Sequence, residues 1–165
     1  MNELHFLPEA ADTEQLGAAL AGTLCPSTTG PLIVYLHGEL GSGKTTLARG
    51  LLRAMGVDGI VRSPTYTLLE CYETVHRRVL HVDLYRLSDA ADLAPLGLRD
   101  ELVAGVLLLV EWPERAAPAL PPPDLRVTLT TATVGRVAQL RAESSAGKAW
   151  LAAAFRPRNA ELKRV

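Results

Sequence analysis

The stretch Gly38-Glu39-Leu40-Gly41-Ser42-Gly43-Lys44-Thr45-Thr46 puts three glycines, a lysine and a run of hydroxyls within nine residues. Glycines at this spacing let the backbone curl until several N–H groups point inward, the arrangement that cradles phosphate oxygens. A helix starting at Thr45 would add partial positive charge at the same place. Lys44 is spaced to reach β- and γ-phosphates, and Thr45 to offer its hydroxyl to a magnesium ion. The chemistry this implies is binding of a nucleoside triphosphate with Mg2+.

Such a loop needs a carboxylate near the cation, and two are candidates. Asp83 ends the run Val79-Leu80-His81-Val82, and Glu111 ends the run Val106-Leu107-Leu108-Leu109-Val110. The plainer alternative for either is a solvated carboxylate at a strand end, and the functional reading is the favoured one. Trp112 follows Glu111 and reads as a wall of the site or as a core aromatic. Ser63-Pro64-Thr65-Tyr66 lies between the loop helix and the next strands, where Thr65 could sense a γ-phosphate and its magnesium. Asp83-Leu84-Tyr85-Arg86 gathers a carboxylate, a phenol and a guanidinium. His5, His37, His76 and His81 show no metal-ligand spacing, and His37 reads as a packed side chain.

These residues need a scaffold. Leu32 to Leu36 reads as a buried strand entering the loop, and Thr45 to about Met55 as the helix leaving it, with Gly56 as its stop. Thr13 to Leu24 has helical spacing at Leu16, Ala19, Leu20 and Leu24, with Asp12 or Thr13 as N-cap. Ser27 to Pro31 is expected to turn, and Val57 to Pro64 to form a loop. Thr65 to Tyr72 and Val79 to Leu84 read as a β-hairpin. Ser88 to Gly105 predicts one or two short helices. Val106 to Val110 predicts a second buried strand. Leu125 to Thr131 and Val137 to Glu143 predict two further strands, and Ala146 to Phe155 a closing helix. The expected fold is α/β of the P-loop type: a mainly parallel sheet extended by antiparallel strands, with helices on both faces. Residues 1–155 form one domain in this reading, and the polar tail 156–165 is frayed.

The chain has 165 residues and a formal net charge of −1, so no strong global field for nucleic acid exists. Arg62, Arg77, Arg78, Arg86 and Arg99 could make a local basic patch or simply a solvated face. Cys25 and Cys71 form no metal-spaced pair and read as reduced, at least half-buried thiols. No signal peptide or membrane span is visible, so a cytoplasmic protein is expected. The stretch Pro118 to Pro123 reads as a stiff connector.

The phosphate loop, Ser63-Pro64-Thr65-Tyr66, Asp83-Leu84-Tyr85-Arg86 and Glu111-Trp112, in this order and spacing, closely resemble the TsaE family. The resemblance extends to Gly97-Leu98-Arg99-Asp100 and Gly135-Arg136, and so spans nearly the whole chain. It implies a small P-loop ATPase that works with TsaD and TsaB, the proteins that transfer a threonylcarbamoyl group to adenosine 37 of tRNA. ATP hydrolysis would drive the cycle of that complex, and tRNA would be met through the partners. Carried over residue by residue, Gly38, Glu39, Leu40, Gly41, Ser42, Gly43, Lys44, Thr45 and Thr46 would hold the phosphates. Thr45 and Glu111 would hold magnesium. Asp83 would lie beside the γ-phosphate as base or water-orienting group, and Thr65 would belong to the switch-like loop. Trp112 would shape the site, and Arg136 and Thr13 would lie near the nucleotide. The isolated chain is expected to be a monomer. Tyr66 stands where relatives also carry phenylalanine, and the tail varies freely.

A small-molecule kinase on the same loop is the alternative. It would want an arginine-bearing lid, and no Arg-rich insertion follows the carboxylate strands. A GTP switch would want an Asn-Lys-x-Asp guanine reader. Only Lys44, Lys148 and Lys163 occur, and none follows an asparagine.

Overall fold

The computed structural model describes residues 1–24, 30–116 and 119–156. Cys25, most of the expected turn at Ser27 to Pro31, Pro118 and nearly all of the 156–165 tail, expected to fray, lie outside the described residues. Seven strands form one sheet in the order β1-β7-β6-β2-β5-β4-β3. β2 (Leu32–His37), β4 (Arg78–Asp83), β5 (Leu107–Glu111) and β6 (Leu125–Thr131) form a parallel core. β1 (Asn2–Leu7), β7 (Arg136–Ala142) and β3 (Leu69–Glu73) extend it in antiparallel pairs. The two central strands, β2 and β5, are buried along almost their whole length. This is what strands covered on both faces require, and it explains their unbroken apolar runs.

Side chains alternate across the sheet, and two apolar clusters result. On one face Leu36, Leu109 and Val127 pack beneath α1 (Ala10–Ala21), α2 (Lys44–Ala54) and α4 (Ser145–Ala154). On the other, Tyr35, Leu80 and Leu108 are covered by a 3₁₀ helix (Ala90–Leu96) and by α3 (Leu98–Glu101). The α1–α2 contact is close because both helices carry a glycine there. A Cβ on Gly17 would stand 2.2 Å from the Leu47 carbonyl oxygen, and one on Gly50 2.1 Å from that of Glu14.

Several boundaries differ from the sequence expectation, each for a local reason. The sequence reading places no element before Thr13, yet β1 pairs along β7 from Asn2 to Leu7. It leaves Leu4 and Phe6 exposed, so no buried face marks it. α1 begins at Ala10, because Glu9 is the N-cap and the Asp12 carboxylate accepts its N–H at 2.8 Å. The helix ends at Ala21, and Ala19 is exposed rather than facing the core. Thr65 to Leu68 is a turn and not part of a strand: the Leu68 N–H donates to the Pro64 carbonyl at 2.7 Å, with Leu68 at φ 62°. Cys71 is exposed on edge strand β3, contrary to the expected burial.

Candidate functional site

The site grows from the C-terminal ends of the parallel strands, where ligands of open α/β sheets bind. β2 delivers the chain into the glycine loop at Gly38, whose φ is 138°; a Cβ there would lie 2.3 Å from the Leu129 carbonyl oxygen. Gly43 has φ 106°, and a Cβ there would lie 2.3 Å from Nη1 of Arg136. No other residue type fits either position without moving backbone or guanidinium. α2 starts directly at Lys44, so its first N–H groups face the loop interior.

Lys44 is buried. Its ammonium donates to the carbonyls of Gly38 and Glu39 at 2.7 and 2.9 Å and lies 4.0 Å from the centroid of the Trp112 ring. Burial pushes its pKa below the ordinary value, against the opposing pull of Glu111, Asp83, Glu114 and Glu39. Trp112 takes a left-handed backbone conformation, φ 57° and ψ 47°. Its N–H donates to the Leu36 carbonyl at 3.3 Å, and its ring stands 5.1 Å from that of Tyr85. Such a conformation costs about 1–3 kcal/mol for a residue other than glycine, and it persists here where it lays an indole against the lysine.

The sheet register brings the two carboxylates together: Asp83 is the partner of Glu111, and Glu111 of Leu36. Their side-chain partners separate them. Glu111 accepts from the Thr45 hydroxyl, at 2.9 Å to Oε1 and 3.0 Å to Oε2, and from Nε2 of His81 at 2.9 Å. Asp83 accepts from the hydroxyls of Ser63 and Thr65, the latter at 2.8 Å, and from the Tyr85 N–H at 2.9 Å. Thus Glu111, at the end of β5, is tied to the loop helix through Thr45, and Asp83 ties down the Ser63–Tyr66 segment.

A pocket of about 390 Å³ opens between these groups. Of the residues expected from sequence, Leu40, Gly41, Gly43, Lys44, Thr45, Thr46, Thr65, Asp83, Glu111, Trp112 and Arg136 line it. Gly38, Glu39 and Ser42 are not part of its lining, and the buried Ser42 hydroxyl has no hydrogen-bond partner among the described residues. Arg136 likewise leaves its buried Nε unpartnered. Thr13 does not line the pocket; its hydroxyl donates to the Glu9 carbonyl at 3.4 Å, and Ala10, one turn earlier, forms the wall instead. Ser63 and Tyr85 also line it. Three other concavities, of about 360, 420 and 510 Å³, are comparable in size, but none joins the glycine loop to a carboxylate. Chemistry rather than volume picks the site.

Sequence reasoning missed His81. It is fully buried between Leu80 and Val82, and only the register sets it beside Glu111. The available signal is one polar residue in an apolar strand, two positions before Asp83. His37 is not a packed side chain: partly exposed, it bridges Glu114 at 3.1 Å and Arg126 at 2.6 Å. Nor do the five arginines share a free face, since Arg77 is buried, Arg78 pairs with Glu73 and Glu101, and Arg86 stacks on Tyr66.

A parallel core that feeds a glycine loop and then a helix, with carboxylates at the neighbouring strand ends, defines the P-loop class of α/β proteins. A family model described as threonylcarbamoyl adenosine biosynthesis protein TsaE matches residues 7–141. The tRNA threonylcarbamoyladenosine biosynthesis protein TsaE of Haemophilus influenzae is 38% identical over 144 residues, 87% of this chain and 91% of that protein. The protein of the same description from Mycobacterium bovis is 38% identical over 134 residues, 74% of this chain and 76% of the relative. In fold, the chain is similar to the crystal structure of Bacillus subtilis YdiB, with a TM-score of 0.74, 23% identity and 92% of each chain covered. This chain belongs to the TsaE family. Among its described residues no helix is long and apolar enough to cross a membrane.

Proposed function

We propose that this chain is a magnesium-dependent ATPase that powers the TsaD–TsaB complex in threonylcarbamoyl modification of adenosine 37 of tRNA, in the cytoplasm. The observation that carries the reading is the division of the strand-end carboxylates around one pocket: Glu111 on the Thr45 hydroxyl, Asp83 on the Thr65 hydroxyl, Lys44 also in its wall.

The donor set suits a hard cation. A hydroxyl and a carboxylate meet at Thr45 and Glu111, and oxygen ligands of this kind are what magnesium takes. Among the described residues no group of three or more His, Cys, Asp or Glu side chains is placed to hold a metal alone. The remaining ligands would be phosphate and water, the usual habit of magnesium. When bound, the ion supplies charge neutralisation at the β- and γ-phosphates.

The side chains then have distinct tasks. The N–H groups of the loop and of the start of α2 hold the phosphates. Lys44, released from the Gly38 and Glu39 carbonyls, meets β- and γ-phosphate oxygens. Arg136, whose guanidinium lies against Gly43 and whose buried Nε has no partner among the described residues, contributes charge beside the loop. Asp83 orients the attacking water or accepts its proton, once the Ser63 and Thr65 hydroxyls turn from it. That exchange gives the Ser63–Tyr66 segment two arrangements, and a partner can tell them apart. A tenfold change in partner affinity needs a bias of only about 1.4 kcal/mol.

The test is calorimetry of this chain against purified TsaD and TsaB with a nonhydrolysable ATP analogue, with ADP, and with no nucleotide. The affinities should differ, and Thr65→Ala should flatten the difference. Equal affinity in all three states would remove the proposed role and leave an ATPase without a coupled partner.

A further inference from the structure

His81 lies in the middle of β4, where Val79, Leu80 and Val82 are all fully buried. A leucine would pack there without polar cost. The imidazole instead carries a penalty: Nδ1 is buried with no hydrogen-bond partner among the described residues. The other nitrogen is fully used. Residues 79, 81 and 83 point to the face that carries α2, as do Leu109, the register partner of His81, and Glu111 two residues on. Nε2 therefore meets Glu111 Oε1 at 2.9 Å, with both side chains buried. A carboxylate can only accept, so Nε2 carries the proton. The Thr45 hydroxyl approaches the same carboxylate from α2. The last torsion of a glutamate is otherwise soft. Two donors from two different elements fix both its oxygens in one plane.

We infer that His81 is a positioning residue: it orients Glu111, and through Glu111 it sets the affinity of the site for a divalent cation. This rests on the magnesium–nucleotide reading above. Groups that hydrogen-bond a metal-ligating side chain typically change metal affinity by about 10–100-fold when removed. His81 does not touch the pocket, so its effect should appear in magnesium dependence and not in the nucleotide contacts themselves.

The experiment measures binding of a fluorescent ATP analogue to the full chain, first without divalent ions and then as Mg2+ is titrated. In His81→Leu the half-saturating Mg2+ concentration should rise about tenfold or more, while magnesium-free nucleotide affinity stays within about twofold. His81→Gln, whose amide nitrogen falls near the position of Nε2, should return it to within about threefold of the parent. His81→Asn keeps a buried amide but withdraws it from Glu111. It should behave like His81→Leu, and it serves as the removal variant if His81→Leu does not fold. Folded Leu or Asn variants with the parent's magnesium curve would overturn the inference. So would a folded Gln variant as impaired as Asn, or an equal loss of magnesium-free binding. A parent chain whose nucleotide binding ignores Mg2+ would overturn the functional reading as well, which separates the two failures.

Discussion

Replacing Thr65 with alanine removes one hydroxyl from the tie between the Ser63–Tyr66 segment and the end of β4. That hydroxyl donates to Asp83 Oδ2 at 2.8 Å and also lies 3.0 Å from the Ser63 hydroxyl. A hydrogen bond to a charged group contributes about 1.5–3 kcal/mol net. Ser63 still donates to Asp83, so the segment stays attached but less firmly. A loss of this size multiplies the open population of the segment by about ten to a hundred. The Leu68 amide is the reporter: its bond to the Pro64 carbonyl at 2.7 Å closes the turn that Thr65 anchors, and the turn is expected to open more often once that anchor is weakened. Hydrogen exchange at Leu68 should accelerate in Thr65→Ala by about ten- to a hundredfold, while amides of β2 and β5 keep their protection. Thr65→Ser differs from Thr65→Ala only by the hydroxyl and should restore slow exchange. If Leu68 exchanges at the parent rate in Thr65→Ala, or if Ser and Ala behave alike, the tie to Asp83 does not hold the segment.

Three further outcomes are expected. Lys44→Ala should abolish or greatly weaken ATP binding, whereas Thr45→Ala should raise the Mg2+ requirement more than it weakens nucleotide binding; titration calorimetry with and without Mg2+ checks both. Gly50→Ala drives a methyl to 2.1 Å from the Glu14 carbonyl oxygen and should cost about 1–3 kcal/mol, a fall in Tm of several degrees by calorimetric scan. Burial lowers the pKa of Lys44, so between that depressed value and about 10.5 the unfolded chain binds more protons than the folded one. Nucleotide-free stability should therefore gain with rising pH relative to Lys44→Met, as paired denaturant titrations would show.

The glycine loop is legible in sequence because its chemistry demands residue types, and the two carboxylates because each ends an apolar run. What separates Asp83 from Glu111 is not local. Their register, and the reach of Thr45 to one and Thr65 to the other, come from strands far apart in the chain. His81 is hidden for the same reason: a lone histidine in an apolar strand shows no partner until the neighbouring strand is laid beside it. β1 is hidden because its exposed Leu4 and Phe6 break the rule that apolar residues mark a buried face. Thr65, Tyr66 and Thr67 carry strand-favouring side chains, yet the positive φ of Leu68 turns the chain before β3 begins.

Phosphate release from ATP by the purified chain, with Mg2+ and with or without TsaD and TsaB, tests the central claim most directly, with Asp83→Ala run beside the parent. The parent should turn over slowly alone and faster with its partners, and Asp83→Ala should keep ATP bound yet release no phosphate. Equal release by parent and variant, or none by the parent under any of these conditions, would contradict the account.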